Sequence, residues 1–291
     1  MILGLEVRDG AVAAVAAGED GAVVARHVQS GADASAVADA VTALGRHDAA
    51  GVGVSVRDPL ESEVADLVKA AARASGATEA PRVITRGTAL ALAEQWCGAA
   101  RGANVVVALA VTDCVEAGVV VNGRPFEGAH GLAAAAGWLA LNPVEREDYR
   151  KLGCLEAEIG AVGIVRRLVW RLKAGDESRV LDMAGGDMSA ITVPQIVDAA
   201  RAGDGVAIAV VRDTARYVGM AIGNLVAVVD PEVVVLGGLI ADAGDVLIEP
   251  SRTEAARRMP AALAGIVRIV AAELEGTGGA LGAARAAMLA R

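Results

Sequence analysis

Charged residues gather at two short turns of this 291-residue sequence, and one arginine of the segment that separates the turns is a further candidate for the same site. The first turn contains Glu6, Arg8 and Asp9, and the second contains Asp113 and Glu116. Grouped carboxylates can transfer protons as general acids or bases, or they can hold a divalent cation. That arginine, Arg86, stays protonated at any working pH, so it can neutralise carboxylates but cannot act as a general base.

Several interpretations of these residues remain open. In the first, Arg8 and Arg86 pair with Asp113 and Glu116, and the ion pairs fill the space between the turns. In the second, Mg²⁺ or Mn²⁺ binds to an oxygen-rich site. Its members would be Glu6, Asp9, Asp113 and Glu116. In the third, all of these are solvated turn charges, whose surface pairs would contribute under about 1 kcal/mol each.

Three other kinds of residue are candidates for chemistry. His130 can hydrogen-bond a ligand or transfer a proton. Cys114 lies on the second turn and is a candidate nucleophile, although a packed thiol is favoured because no histidine is near it in the sequence. Gly237 and Gly238 follow a buried apolar run, where glycines either serve a tight turn or let a ligand approach the backbone.

The composition excludes several classes of protein. The sequence is 54% hydrophobic, so it is not a disordered chain. Aromatic residues make up only 2% and the net charge is −9, which argues against base stacking and against binding to a phosphate backbone. The three cysteines show no CxxC spacing, so we expect neither a disulfide framework nor a metal site. With no signal peptide and no run long enough to span a bilayer, a cytoplasmic protein is expected.

The order of predicted elements indicates two α/β halves. Each half begins with a hairpin: residues 2–7 and 11–17 in the first, and residues 104–111 and 118–121 in the second. Further strands are predicted at residues 22–28, 51–56, 83–85, 232–236 and 266–270. Helices are predicted at residues 35–44, 60–71, 89–96, 153–172, 194–201, 206–229, 246–257 and 282–289. We therefore expect two lobes with a cleft between them, and the two hairpin turns facing each other across that cleft.

Several motifs in this plan resemble those of the ROK family of sugar kinases and repressors. They are VVVNGR at residues 119–124, GAHGLA at 128–133, GCLE at 153–156, DPEVVVLGG at 230–238 and GAA at 282–284. The resemblance implies an α/β protein with the two-lobed actin/hexokinase-like (ribonuclease H-like) fold and an interlobe cleft. The expected lobes are residues 1–102, with the helix at 279–291 packing back on them, and residues 103–278.

The two phosphate-binding turns depart from the family's pattern. The first hairpin of the family carries an Asp and a Gly-Gly-Thr turn, whereas here Glu6 takes the acidic position and Arg8 and Asp9 replace the glycines. The second family turn reads Gly-Thr-Gly-x-Gly, and residues 112–116 here read TDCVE. A carboxylate about 4 Å from a phosphate oxygen costs ~4 kcal/mol at an effective dielectric of about 20, so these turns are poor phosphate sites.

Three other family positions have also changed. Arg86 stands where the resemblance places the catalytic aspartate. Ala135 replaces a glutamate that would hold sugar hydroxyls, and Trp138, which is expected to fill part of that pocket, replaces a zinc-ligating histidine. Of the family's cysteine motif only Cys154 remains, so we predict no zinc site.

These departures predict a metabolite-binding or regulatory protein that has lost phosphoryl transfer. One alternative is an enzyme with different chemistry on a sugar-like or small polar substrate, for which the catalytic candidates are Arg86, Glu116 and His130. The other is an ATP-dependent glucose or N-acetylhexosamine kinase, the one case in which ATP and Mg²⁺ are expected. The candidate ligand-binding residues are Glu6, Arg8, Asp9, Asp113, Glu116, His130, Gly237 and Gly238.

The expected partners follow from the resemblance and from the charge. The resemblance implies a homodimer. The acidic net charge and the sequence's start at the first predicted strand, without the DNA-binding module of the family's repressors, predict no nucleic-acid partner. We expect no membrane partner, but we do expect a small-molecule ligand.

Overall fold

The computed structural model describes residues 1–45, 49–274 and 276–291, and these form two five-stranded sheets. The strands of the first sheet are β1 (Ile2–Arg8), β2 (Ala11–Ala17), β3 (Val23–Ser30), β4 (Gly51–Val56) and β5 (Arg82–Thr85). Their order is β3-β2-β1-β4-β5. The central strand β1 pairs antiparallel with β2 and parallel with β4, so a hairpin is extended by α/β crossovers.

The second sheet repeats this plan. Its strands are β6 (Val105–Val111), β7 (Val115–Val121), β8 (Arg124–Pro125), β9 (Val233–Gly238) and β10 (Arg268–Ala271). Their order is β10-β9-β6-β7-β8, with β6 antiparallel to β7 and parallel to β9. The prediction that each half opens with a hairpin and continues as α/β is therefore confirmed.

Helices cover the faces of both sheets. The helices associated with the first half are α1 (Ala34–Ala43), α2 (Val64–Ser75) and α3 (Arg86–Cys97). Those that follow β8 are α4 (Glu147–Leu152), α5 (Cys154–Ile159), α6 (Ala161–Lys173), α7 (Arg179–Met183), α8 (Val193–Arg201), α9 (Gly205–Val229), α10 (Leu239–Asp242), α11 (Gly244–Ala256), α12 (Ala261–Ala264) and α13 (Gly278–Leu289). Short 3₁₀ turns lie at Ala136–Trp138 and Met188–Ala190.

Three predicted boundaries were wrong in ways that matter for the site. The helix predicted at residues 153–172 is interrupted at Gly160, whose extended backbone (ψ 156°) separates α5 from α6. The helix predicted at residues 60–71 begins only at Val64. Strand β7 begins at Val115, because that residue pairs with Val111 across the hairpin. Glu116 therefore belongs to a strand rather than to a turn.

Helix α13 packs against the first sheet and against α3, although it follows the second sheet in the sequence. Glycines make this close approach possible. A Cβ atom on Gly4 would lie 1.8 Å from the carbonyl oxygen of Ala280, and a Cβ on Gly282 would lie 1.7 Å from that of Ala89. The return of the C-terminal helix to the first sheet agrees with expectation, while the lobe boundary at residue 102 stays a prediction.

No helix in the described part of the chain is both long enough and apolar enough to cross a bilayer.

Candidate functional site

Arg86 is placed at the first position of α3, directly after strand β5. The side chain of Thr85 caps this helix by accepting a hydrogen bond from the backbone N–H of Thr88 (3.3 Å). The cap fixes where the helix begins and therefore where Arg86 projects. Arg86 is only 2% exposed, which for a permanently charged side chain requires nearby acidic partners.

The two carboxylates of the second hairpin supply this compensation. Arg86 Nη2 lies 2.7 Å from Asp113 Oδ1 and 2.5 Å from Glu116 Oε1. Its Nη1 donates to Asp113 Oδ2 (3.1 Å) and to the carbonyl oxygen of Val7 (3.3 Å), which belongs to β1. One guanidinium therefore joins the first sheet to the second hairpin, and the ion-pair interpretation holds for Arg86.

Arg8 does not join this group, so the other half of that interpretation was wrong. Its guanidinium pairs with Glu6 instead. The two residues are two positions apart on β1 and therefore lie on the same face of the strand. Glu6 is buried, and without Arg8 its charge would be uncompensated. The backbone N–H of Asp9 donates to Asp113 Oδ2 (3.2 Å), so the two hairpin turns do meet as predicted.

Burial and ion pairing act on the titration of these groups in opposite directions. Burial alone would raise the pKa of Asp113, but the hydrogen bond and charge of Arg86 outweigh it and lower this pKa to about 2. Burial raises the pKa of Glu116 despite the charge of Arg86, because this carboxylate is almost completely removed from solvent. Burial alone would lower the pKa of Arg86, but Glu116 and Asp113 raise it. At neutral pH the guanidinium is therefore firmly charged.

The Asp113→Asn variant tests this arrangement through pH. The folded-state pKa lies below the ordinary 3.8, so the carboxylate stabilises the fold above about pH 4, and this contribution disappears as the pH falls through about 2. The shift corresponds to at most ~2.4 kcal/mol, and solvent screening at this partly exposed group reduces the expected contribution to about 1 kcal/mol. Denaturant unfolding of both proteins between pH 7 and pH 2 should show a difference that shrinks toward acid. A difference that stays constant would contradict the assignment.

Thr112 and Cys114 also belong to the polar group. Thr112 was not singled out from the sequence, whereas the favoured interpretation of Cys114 as a packed thiol agrees with its burial. Thr112 Oγ1 lies 2.8 Å from Asp113 Oδ1 and 3.1 Å from Glu116 Oε1. Cys114 Sγ accepts a hydrogen bond from Arg86 Nη2 (2.9 Å) and lies 3.3 Å from Glu116 Oε1. Burial and Glu116 raise the pKa of Cys114 to about 12, so its side chain is a thiol and not a reactive thiolate.

The interpretation of these carboxylates as a site for Mg²⁺ or Mn²⁺ finds little support in the geometry. Among the described residues, potential ligand atoms of Asp113, Cys114 and Glu116 lie within 4.8 Å of one another. The guanidinium of Arg86 already contacts both carboxylates and supplies the positive charge there. Glu6, the other buried carboxylate of the predicted set, is paired with Arg8.

Two cavities adjoin this group, and Arg86 and Glu116 line both of them. The first, the Trp138 cavity, has a volume of about 250 Å³. It is also lined by Arg57, Asp58, Thr85, Trp138 and Glu156. The second, the Gly237 cavity, has a volume of about 410 Å³. It is also lined by Glu6, Arg8, Gly237, Gly238 and Gly279. The Arg86 ion pairs therefore adjoin two spaces large enough for small ligands.

The remaining predicted residues lie in different places. Gly237 and Gly238 line the Gly237 cavity as expected, but packing also requires glycine there. A Cβ on Gly238 (φ +58°) would lie 2.2 Å from the carbonyl oxygen of Val111, and one on Gly237 would lie 2.8 Å from Leu90 Cδ2. His130 is exposed and is not among the described residues that line either cavity.

Two further residues shape the Trp138 cavity. Trp138 lines the cavity and is 60% exposed, and the expectation that it fills part of the family's sugar pocket stays a prediction. Glu156 was not predicted as a site residue, although it lies in the GCLE motif. Its Oε2 accepts a hydrogen bond from the backbone N–H of Val115 (2.7 Å), and its carboxylate lines the cavity.

The residues of the former cysteine motif do not fit a zinc ion. Cys154 is buried against Tyr149, Ala157 and Leu141, which are not metal ligands in this arrangement. Within residues 1–45, 49–274 and 276–291, no further set of three potential ligands gathers around this thiol. The segment is instead rich in arginine–carboxylate pairs.

The fold agrees with comparisons to known proteins. The model of the ROK family matches residues 34–290, and the chain belongs to this family. A ROK family glucokinase from Streptomyces griseus, solved in complex with glucose and AMPPNP, superposes with a TM-score of 0.80 at 23% identity, and the match covers 99% of both chains. The actin/hexokinase-like fold predicted from the resemblance is therefore confirmed.

Relatives of higher identity include both enzymes and regulators. The glucokinase of Halalkalibacterium halodurans is 34% identical over 162 residues, which cover 55% of this chain and 49% of that protein. The DNA-binding transcriptional dual regulator NagC of Escherichia coli is 31% identical over 160 residues, which cover 55% of this chain and 38% of that protein. The matched part of the chain thus spans less than half the length of each of these two relatives.

Proposed function

We propose that this ROK-family protein binds a small polar, carbohydrate-like ligand in the cleft between its sheets and does not transfer phosphate to it. The observation that supports the proposal is the buried Arg86, which is paired with Asp113 and Glu116 and lines both cavities. A permanently protonated group at that place cannot take a proton from a sugar hydroxyl.

The same ion pairs oppose the binding of a polyphosphate beside them. A phosphate that entered there would meet the carboxylates of Asp113 and Glu116, whose charge is already matched by Arg86. To reach the guanidinium it would have to displace one carboxylate, which would leave that carboxylate buried and unpaired. Removing a partner from a buried pair costs about 3–5 kcal/mol, which few phosphate contacts would offset.

The second candidate function is ATP-dependent phosphorylation of a sugar, and the comparisons favour it over lost activity. Both the Halalkalibacterium relative and the Streptomyces griseus structure are glucokinases. The Gly237 cavity, at about 410 Å³, also leaves space for part of a nucleotide. In this case Glu116 is the candidate base, because it lines both cavities and burial raises its pKa, and it would have to leave Arg86 before it could take a proton.

Different chemistry on a sugar-like substrate has weaker support. Its candidates were Arg86, Glu116 and His130, of which His130 lies outside the lining of both cavities. Arg86 and Glu116 are held against each other, so neither side chain is free to act on a substrate without breaking their ion pair.

A coupled assay of ADP release separates the two leading candidates. Purified protein is mixed with Mg²⁺-ATP and, in turn, glucose, N-acetylglucosamine and N-acetylmannosamine. We expect no sugar-dependent ADP release, while differential scanning fluorimetry without nucleotide shows stabilisation by at least one of these sugars. Turnover of about 1 s⁻¹ or faster, within the usual range of enzymes, would establish the kinase instead. Loss of that turnover in Glu116→Gln, with the fold intact, would then identify the base.

A further inference from the structure

Both tyrosines of the chain and one of its three tryptophans lie in a single group of charged side chains between α4 and α9. We call this group the arginine–aromatic cluster. Its members are Arg146, Asp148, Tyr149, Glu158, Arg166, Arg167, Trp170 and Tyr217. In a chain with only 2% aromatic residues, this concentration is unusual and needs a physical explanation.

Glu158 of α5 lies at the centre of the cluster and is only 4% exposed. Arg146 Nη1 donates to its Oε1 (3.0 Å), and Arg167 Nη2 donates to its Oε2 (3.2 Å). The hydroxyl of Tyr149 donates to the same carboxylate. With two guanidiniums and one phenol as donors, both carboxylate oxygens are satisfied, as a buried charge requires.

A second carboxylate ties the neighbouring helices together. Asp148 of α4 accepts from Arg146 Nη2 (2.7 Å) and from Arg166 of α6. Arg166 also donates to the carbonyl oxygen of Ala157 in α5 (2.7 Å). The guanidiniums of Arg146 and Arg166 lie over the ring of Trp170, at 5.3 and 5.0 Å from its centroid. Helices α4, α5 and α6 are thus crosslinked without a metal.

The cluster also reaches the candidate site through the short helix α5. Glu156, two residues before Glu158, extends to the Trp138 cavity and binds the Val115 N–H. At the start of α5, Gly153 lies so close to the turn carrying Trp138 that a Cβ on it would be 2.3 Å from the carbonyl oxygen of Gly137. Any change in the position of α5 therefore moves two walls of the cavity.

We propose that the arginine–aromatic cluster replaces the metal crosslink that the family resemblance assigns to residues 147–154, and that Glu158 is a positioning residue for Glu156. The crosslink between the helices does not depend on whether the protein binds a ligand. Only the role of Glu156 at the cavity rests on the proposed function. Short helices such as α4 and α5 are marginal on their own, so their positions depend on such tertiary contacts.

The first test measures metal content and thermal unfolding of the intact protein. We expect far less than one zinc per chain by mass spectrometry and an unchanged Tm in EDTA. Glu158→Gln should lower Tm by roughly 6–15 °C, because it leaves the guanidiniums of Arg146 and Arg167 without their buried partner. The control Glu147→Gln breaks the exposed pair with Lys151 in the same segment and should shift Tm by less than about 2 °C. Stoichiometric zinc, or a Tm that falls in EDTA, would overturn the replacement.

The second test measures hydrogen exchange at the Val115 amide, which donates to Glu156. If Glu158 positions Glu156, Glu158→Gln should accelerate exchange at Val115 about tenfold more than at Val107, a central residue of the neighbouring strand β6. Equal acceleration at both amides would show a merely global effect and refute the positioning role. Tyr149→Phe, which removes one hydrogen bond to Glu158, gives a milder variant if Glu158→Gln does not fold. If the exchange pattern is as expected but the protein binds no sugar, the proposed function is wrong and the positioning role of Glu158 still stands.

Discussion

Replacing Arg86 by methionine is expected to lower the free energy of unfolding by roughly 3–5 kcal/mol at pH 7. The variant keeps most of the side-chain volume but leaves Asp113 and Glu116 facing each other without the guanidinium that now contacts both. It also leaves the carbonyl oxygen of Val7 without this donor. Urea-induced unfolding, followed by circular dichroism, measures the change directly.

A matched control and a combined variant make this prediction specific. Arg201→Met breaks pairs with Asp245 (2.6 Å) and Asp198 (3.0 Å), but these side chains are exposed, so the expected cost is under about 1 kcal/mol. Adding Asp113→Asn and Glu116→Gln to Arg86→Met removes the unpaired charges and should restore much of the lost stability. If Arg86→Met were no more harmful than Arg201→Met, the ion pairs would not hold the two hairpins together.

The second large effect is expected for Gly282→Ala in α13. The new Cβ would lie 1.7 Å from the carbonyl oxygen of Ala89, so α13 and α3 would have to separate. Overpacking of this kind usually costs 1–3 kcal/mol, and because the obstacle is backbone we expect about 3 kcal/mol or more. Thermal and urea unfolding of the purified variant should both show the loss.

Gly205→Ala serves as the control for this substitution. Gly205 is the first residue of α9, has an ordinary φ, and no atom beyond its chain neighbours and the backbone of its own helix lies within 4 Å of the position that a Cβ would take. Alanine there restricts the unfolded chain without strain in the folded one, so a gain of about 0.4–1 kcal/mol is expected. Similar losses for both alanine variants would show that the effect at Gly282 comes from something other than the contact with Ala89.

Much of the architecture followed from local pattern. The apolar run at residues 51–56 became β4 with the predicted bounds, and tight turns between short apolar runs gave both hairpins. The meeting of Arg86 with Asp113 and Glu116 was predicted because the family resemblance placed all three at one cleft. Arg8 was assigned to the wrong partner because the alternation of β1, which turns Glu6 and Arg8 to the same face, was not applied to it.

Other features depend on contacts that no local pattern records. Arg167 reaches Glu158 from a different helix and also lies over the ring of Tyr217 in α9, so the arginine–aromatic cluster exists only once three segments have packed. Glu156 lines its cavity from α5, which ends at Ile159, whereas the sequence favours one continuous helix over residues 153–172. Both features arise from tertiary packing, which overrides intrinsic helix preference.

The position of α13 has a consequence for how the protein folds while it is being synthesised. Strands β1 and β4 are synthesised long before α13, yet Gly4 and Gly53 are covered by backbone of residues 280 and 283. Until that helix has been synthesised, the nascent N-terminal half carries an uncovered apolar sheet face. The contacts that cover this sheet face therefore join residues far apart in the sequence, and contacts of that kind slow folding. The face stays accessible to a chaperone for correspondingly longer.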